Sequence, residues 1–227
     1  MVAALYLGAL SYPQPAFTDH VAYRQFDVWS DRPIEDAITS VLDDATRRMK
    51  TSELYTSHQR FRLFFCNSTW RLALYGLFQT KAGGLVYSWL TTNIYIRESS
   101  IAENRIVSPH IGPMADAERR PLSYVIVHEP THVMQSRAFG RFFDRRCPTW
   151  LDEGYADYVG KGGDFDFDEN VTLLRAGSPA LDFARSRLCR RYHLEVAWLL
   201  DKQGMSIRPV YANPPREADL LDALTRG

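Results

Sequence analysis

The residues best suited to chemistry in this chain are two histidines and a glutamate within residues 128–132, which have the sequence H-E-P-T-H. On a helix, residues four apart lie on one face, about 6 Å along the axis, so His128 and His132 can direct both imidazoles at one metal ion. Glu129 projects at a neighbouring angle and can reach a water on the metal instead of the metal itself. The pattern therefore predicts a zinc site with Glu129 as general base.

A catalytic zinc ion takes three protein ligands and keeps one position for water, so a third ligand is expected on a separate element. Glu153 lies 21 positions after His132, within residues 150–156, which have the sequence W-L-D-E-G-Y-A. Here the chain resembles the gluzincins, the clan of zinc peptidases that includes thermolysin and the thermolysin-like aminopeptidases. The resemblance implies that Glu153 is the third ligand, that the cofactor is one Zn²⁺ ion and that the substrate is a peptide or protein.

Two further positions have counterparts in that clan. Asp157 lies four residues after Glu153, where the resemblance implies a carboxylate that hydrogen-bonds the first histidine ligand, here His128. Tyr192 begins a segment similar to the late helix of gluzincin aminopeptidases, in which a tyrosine hydroxyl stabilises the oxyanion of the tetrahedral intermediate. His193 is the alternative donor. The resemblance covers residues 124–204 and implies hydrolysis of peptide bonds.

Pro130 departs from the family pattern, which more often has an ordinary helix former at this position. Inside a helix, proline removes one backbone hydrogen bond and clashes with the preceding turn, at a cost of about 3 kcal/mol. A displaced Glu129 would impair catalysis more than metal binding, because a catalytic base must be placed within a fraction of an ångström. The alternative function is therefore a catalytically weakened, zinc-binding pseudo-peptidase that acts as an interaction or regulatory module. A globular domain with a fortuitous motif is a third hypothesis.

Hydrophobic periodicity and end signals predict the helices that must position these residues. Thr149 is expected to cap the helix that carries Glu153, through a capping box. The predicted helices cover residues 34–49, 121–139, 149–159, 187–202 and 218–224.

Strands are predicted at 61–66 and 85–96, where aromatic and β-branched residues are frequent. Residues 85–96 are the candidate sheet edge along which a peptide would lie, and residues 99–117 and 164–169 are predicted loops. Strands thus precede helices, which favours an α+β fold. The resemblance makes this fold zincin-like, with a mixed or antiparallel sheet lobe followed by a helical lobe that carries the metal-binding helix. The predicted organisation is an apolar segment 1–18, a β-rich lobe 19–115 and a helical catalytic lobe 116–227, forming one compact catalytic domain.

Composition limits the partners. The chain has 27 basic and 27 acidic residues, so no basic surplus indicates a nucleic-acid partner. Three cysteines without a C-x-x-C pattern indicate neither a disulfide scaffold nor a thiolate metal site. The apolar run 2–10 is shorter than the roughly 20 residues that span a bilayer. It is interpreted either as the remnant of a longer anchor, which would allow membrane association through the N-terminus and an extracytoplasmic or membrane-associated location, or as a buried strand or short helix.

Overall fold

The computed structural model describes residues 2–107, 120–186 and 188–226, and the side chains of all of these except residues 2–4. Over this part of the chain it contains ten α-helices, a five-stranded mixed sheet and a two-stranded sheet. The predicted α+β fold class is confirmed. The predicted lobe boundary at residue 115 lies outside the described residues.

The larger sheet has the strand order β1-β2-β3-β5-β4. Strands β2, β3 and β5 are parallel, whereas β1 pairs antiparallel with β2 and β4 pairs antiparallel with β5. Strand β4 therefore forms one edge. The strands are β1 (Asp19–Tyr23), β2 (Phe26–Ser30), β3 (Phe61–Cys66), β4 (Gly84–Val86), β5 (Asn93–Arg97), and, in the small antiparallel sheet, β6 (Ser99–Ser100) and β7 (Arg105–Ile106).

The helices bracket and follow this sheet. They are α1 (Val2–Ser11), α2 (Ile38–Met49), α3 (Thr69–Tyr75), α4 (Leu122–Phe139), α5 (Thr149–Lys161), α6 (Phe167–Arg175), α7 (Phe183–Ser186), α8 (Arg190–Ala197), α9 (Ile207–Ala212) and α10 (Glu217–Arg226). Helix α8 continues into a π-helix at Trp198–Lys202.

Both faces of the sheet are buried, and neighbouring residues of a strand pack in different cores because successive side chains point to opposite faces. Leu63 of β3 and Ile94 of β5 belong to the main core, which they share with α2, α4 and α5. Phe64 and Tyr95, one residue further along each strand, pack in a second core with Leu10 of α1 and residues of α3. Each such buried side chain contributes about 1.5–3 kcal/mol relative to exposure. Helix α4 packs against both the sheet and α5 in the main core.

Several predicted elements are confirmed within a few residues. Strand β3 has the predicted bounds, and α4 ends before Gly140, whose φ of 101° favours glycine as the residue after a helix. Helix α2 starts at Ile38 instead of residue 34, and α10 is slightly longer than predicted. The fourth predicted helix is observed as α8 and its π-helical extension, and its predicted first residue, Arg187, lies outside the described residues.

Four local predictions were wrong, wholly or in part. Residues 85–96 form a hairpin of the edge strand β4 and the internal strand β5, not one strand. Residues 164–169 are not all loop, because the Asp166 side chain caps α6 by accepting from the Glu169 backbone N–H at 2.9 Å. Thr149 is the first residue of α5 and makes no side-chain cap. Of the predicted loop 99–117, residues 99–106 contain β6 and β7, and residues 108–117 lie outside the described part.

The N-terminal run forms α1, a conformation compatible with both the anchor-remnant and the short-helix interpretation. Leu10 is buried, whereas Leu5 and Leu7 are exposed. Among the described helices, none has both the length and the apolar character needed to span a bilayer.

Candidate metal centre

Two neighbouring helices bring the predicted ligands together. Helix α4 carries His128 and His132 four residues apart, and the first turns of α5 carry Glu153. One ligand atom from each of the three residues lies within 4.8 Å of the other two. His128 Nε2 is 3.3 Å from Glu153 Oε2, and His132 Nε2 is 4.0 Å from Glu153 Oε1. The cluster can hold a metal ion.

The donor set and its spacing fit zinc. Zinc bonds to imidazole nitrogen and carboxylate oxygen are about 2.0–2.2 Å, so adjacent ligand atoms of a tetrahedral site lie about 3.3–3.5 Å apart. The 3.3 Å separation between His128 and Glu153 has this length, and the 4.0 Å separation needs only a small adjustment. Three protein ligands would leave a fourth position for water or substrate, as in catalytic zinc sites.

His132 is held in the tautomer that a metal ligand requires. Its Nδ1–H donates to Gln135 Oε1 at 2.9 Å. The Gln135 amide is itself fixed, because its Nε2 donates to the Tyr211 hydroxyl at 2.6 Å and to the Asp152 backbone carbonyl at 3.1 Å. An amide oxygen can only accept, so Nδ1 carries a proton and Nε2 is the ring atom directed at Glu153.

His128 is held in the same way, but through a residue that the sequence interpretation did not include. The Tyr124 hydroxyl donates to Asp157 Oδ1 at 2.5 Å, and its oxygen lies 3.3 Å from His128 Nδ1. Burial, together with the negative charge of Asp157, raises the pKa of Tyr124 well above 10.0, so the phenol keeps its proton for Asp157. The phenol oxygen is then free to accept from His128 Nδ1–H. Asp157 thus reaches His128 through Tyr124, instead of through the direct contact that was predicted.

Asp157 gathers three donors around a fully buried carboxylate. Besides Tyr124, it accepts from His193 Nδ1–H at 2.9 Å and from Arg120 Nη2 at 3.2 Å. Burial alone would raise the pKa of Asp157, but the charge of Arg120 and the hydrogen bond from His193 outweigh it and hold the pKa well below 3.8. Asp157 is therefore a permanent negative charge behind the His128 ring.

Glycines on α5 make these contacts sterically feasible. A Cβ at Gly160 would lie 2.8 Å from the Tyr124 ring, and a Cβ at Gly154 would lie 2.5 Å from the backbone carbonyl of Tyr192. Both distances are shorter than a real carbon contact allows. The two glycines therefore let α4 and α8 approach α5 closely on either side of Asp157.

Glu129 lies beside the cluster against the sheet edge. It is only 9% exposed, and burial raises its pKa above 4.5 even though the His128 and His132 rings oppose the shift. Gly84 of β4 touches it so closely that a Cβ there would lie 2.6 Å from Glu129 Cγ. Helix α4 is continuous through Pro130, so the proline does not separate Glu129 from the two histidines.

The charged groups around the centre favour the binding of a cation. Burial would lower the pKa of His132, but the Asp152 carboxylate, and then Glu153 and Glu129, raise it to about 10. Burial would raise the pKa of Glu153, but the hydrogen bond from His128 and the charges of His132 and His128 lower it to about 2. Carboxylates thus outnumber imidazoles around this point, and a cation placed there is stabilised.

The two predicted oxyanion donors, Tyr192 and His193, contact residues outside the ligand cluster. The Tyr192 ring stacks on Phe183 with centroids 5.5 Å apart and lies under the Arg191 guanidinium. The His193 ring is buried, bonded to Asp157 and stacked on Phe165 at 3.6 Å. No described hydrogen bond or ion pair joins either side chain to His128, His132 or Glu153. Their role in oxyanion stabilisation remains a prediction.

Several residues that shape the centre were not predicted from the sequence. Tyr124 and Gln135 lie four residues before His128 and three after His132, which places each on the face of its histidine, so helical spacing could have indicated both. No sequence pattern indicated Gly84, because glycine is required at this position by the packing of β4 against α4. The Cys189 thiol, which donates to Glu153 Oε2 at 3.8 Å, also comes from a distant part of the chain, the residue before α8.

No protein-family model matches this chain, and no curated protein is similar to it. The geometry of the centre and the sequence motif are therefore the basis for a functional conclusion.

Proposed function

We propose that this protein is a zinc-dependent peptidase of the gluzincin type. One observation carries the proposal: the Nε2 atoms of His128 and His132 converge on the Glu153 carboxylate, with each Nδ1 already bonded elsewhere. A structural ion pair does not require two histidines whose Nε2 atoms both face one carboxylate. A set of metal ligands does require this arrangement.

The residues of the chain have separate roles in this proposal. His128, His132 and Glu153 would hold zinc, which when bound lowers the pKa of water and polarises the scissile carbonyl. Glu129 takes the proton from the attacking water and delivers it to the leaving amine. Its raised pKa suits this exchange, because a base works best when its pKa approaches the operating pH. Tyr192 and His193 remain the predicted oxyanion donors.

The position of β4 supports a peptide as substrate. Within the described residues, β4 pairs only with β5, which leaves its other edge free to bond an extended chain. Gly84 on this strand touches Glu129. A peptide added at this edge would therefore pass beside the base.

The test combines metal analysis with one conservative substitution. Protein purified without added metal is expected to contain one zinc per chain and to cleave members of a peptide library. Glu129→Gln is expected to keep the zinc and to lower kcat by at least about a hundredfold, because general-base catalysis is removed. Glu103→Gln, on the exposed β6–β7 turn, is the matched control and should retain both. Protein that contains no zinc and does not take up added zinc would refute the proposal.

Pro130 favours a second candidate, the catalytically weakened pseudo-peptidase that serves as an interaction or regulatory module. Pro130 is next to the proposed base, and proline in the interior of a helix is destabilising. Wild-type protein that contains one zinc but cleaves no peptide of the library would support this candidate over the active enzyme. Association with a membrane through α1 also remains a prediction, which co-sedimentation with lipid vesicles would test.

A further inference from the structure

A cleft of about 130 Å³ opens directly beside the metal centre. His132 and Glu153 of the metal centre are among its lining residues. The other lining residues come from the end of β4 and the chain after it, from the last turns of α4, from the segment between α4 and α5, and from the start of α5. The wall residues that matter here are Val86, Ser88, Ser136, Phe143, Asp144 and Asp152. We refer to this space as the side cleft.

The side cleft is acidic. Asp144 and Asp152 line it in addition to Glu153, and no lysine or arginine is among its lining residues. Within the described chain, Asp144 forms no ion pair and Asp152 forms one only with His132, at 3.5 Å from Nδ1. Asp152 is only 8% exposed. A carboxylate buried to this degree is costly unless a positive group compensates it.

His132 is directed at Gln135 more closely than at Asp152. Its Nδ1–H donates to Gln135 at 2.9 Å. The contact of Asp152 with His132, at 3.5 Å, is longer than a normal hydrogen bond, and a carboxylate can accept several further bonds. The Asp152 carboxylate is therefore available for a cation from outside the chain.

The remaining walls suit a long side chain. Val86 and Phe143 are apolar, and the hydroxyls of Ser88 and Ser136 can accept hydrogen bonds. Lysine and arginine have this combination, with an apolar stem and a charged end. A free terminal amine lacks an apolar stem that could contact Val86 and Phe143.

We propose that the side cleft binds a lysine or arginine side chain of the substrate adjacent to the scissile bond, with its cationic end between Asp152 and Asp144. This inference rests on the proposed peptidase function and names its substrate class. Because the cleft shares His132 and Glu153 with the metal centre, a side chain inside it belongs to a residue at or next to the bond that is cleaved.

The test uses the zinc-loaded full chain and acetylated peptides in which one arginine is moved through each position. Matched peptides carry citrulline, which has nearly the same shape without the charge. We expect cleavage at a fixed position relative to arginine and a kcat/KM about tenfold or more above that of citrulline, the size of one charged hydrogen bond. Asp144→Asn, which has no described contact with a metal ligand, should reduce the ratio towards one, and Asp152→Asn should do so when it is compared at equal zinc occupancy. Asp222→Asn, exposed on α10, is the control and should keep the ratio.

A binding assay separates this inference from the proposed function. Zinc-loaded Glu129→Gln is titrated with fluorescent arginine and citrulline peptides, and the ratio of their Kd values is measured by anisotropy. An arginine preference that Asp144→Asn abolishes supports the inference even if no peptide is cleaved. Equal behaviour of the two peptides in both assays overturns it. A preference that survives both substitutions, or that requires a free amino terminus in place of arginine, overturns it as well.

Discussion

Tyr124 is the residue through which the charge of Asp157 acts on His128. Tyr124→Phe keeps the ring but removes the hydroxyl that bonds Asp157 and His128 at 2.5 and 3.3 Å. We expect the Kd for zinc to rise about ten- to a hundredfold, as is usual when the group that orients a metal-binding histidine is lost. Competition with a chromophoric chelator measures this Kd.

The matched control is Tyr23→Phe, which removes an exposed hydroxyl bonded to Asp43 and should leave the zinc affinity unchanged. Asp157→Asn combined with Tyr124→Phe should weaken binding little more than Tyr124→Phe alone, because both act on the same ring. Full additivity of the two losses would show that Asp157 affects the metal by a route other than Tyr124.

Glu195 introduces a pH dependence of stability far from the metal centre. Its side chain is fully buried, neither carboxylate oxygen accepts a hydrogen bond from the described residues, and Arg191 Nε is 3.7 Å away. Burial raises the pKa of Glu195 to about 8, from 4.5. A raised folded pKa means that folding takes up a proton, so this residue costs nothing below pH 4.5 and destabilises the fold increasingly up to about pH 8.

Glu195→Gln removes the ionisable group while keeping its size. We expect the variant to gain free energy of unfolding over the wild type as the pH rises from 5 to 8.5, by an amount on the order of a few kcal/mol. Urea unfolding at several pH values measures this difference, with Glu103→Gln as an exposed control. A difference that stays constant over this range would contradict the assignment.

At the scale of elements, the contact between β4 and α4 positions Glu129, the proposed base. Gly84→Ala would put a methyl group 2.6 Å from Glu129 Cγ and 2.9 Å from a Val125 methyl, so Glu129 must move. We expect kcat to fall at least about tenfold with little change in zinc content, because a small displacement of a catalytic group has a large effect on rate. Peptide cleavage and metal analysis on the same sample measure both.

The neighbouring residue provides the control. A Cβ at Gly83 would make an ordinary contact, 3.5 Å from Val125, so Gly83→Ala adds the same methyl group without a clash. This variant should retain kcat. Equal losses in the two variants would indicate a general effect on β4, not a displacement of Glu129.

Elements were predictable where the signal is local. The bounds of β3 follow from its run of aromatic residues, and the end of α4 follows from Gly140 at positive φ. The hairpin within 85–96 was missed because an apolar run does not reveal where it turns. Its turn is held by a distant residue, since Arg141 donates to the Trp89 carbonyl at 2.5 Å. Helix α6 was missed because its acidic start resembles a loop, although Val171 and Leu174 pack in a small core with Leu194.

The same distinction holds for the centre. The positions of His128, Glu129 and His132 follow from helical spacing, and Glu153 follows from the resemblance. The contact of Asp157 with Tyr124 could not be predicted in this way, because it requires Gly160 to admit the Tyr124 ring between two helices. Residues that act across elements depend on packing that no local pattern records.

At the scale of the whole molecule, the ligands belong to helices that the core already holds in place. Helices α4 and α5 contribute Ile126, Val133, Leu151 and Tyr155 to the main core shared with the sheet. Metal removal is therefore expected to leave the far-UV circular dichroism unchanged, unlike in small domains that fold only around zinc. The Tm should fall by on the order of 10 °C when zinc is removed, because the metal binds only the folded state.

Thermal unfolding with and without a chelator measures this shift. Adding zinc back should restore the Tm, and an exposed-site variant such as Asp222→Asn should show the same shift as the wild type. Loss of helical signal on chelation would mean that the metal, not the core, organises α4 and α5.

The fixed imidazoles have a consequence for which metal the protein carries. Tyr124 and Gln135 set the donor atoms of His128 and His132 before any ion arrives. Nitrogen and oxygen donors bind copper(II) more tightly than zinc in the usual order of divalent metals, so discrimination depends on coordination geometry and on metal supply. Protein produced in copper-rich medium is expected to be mismetallated, and the ion found in a preparation then records the growth conditions as much as the preference of the site.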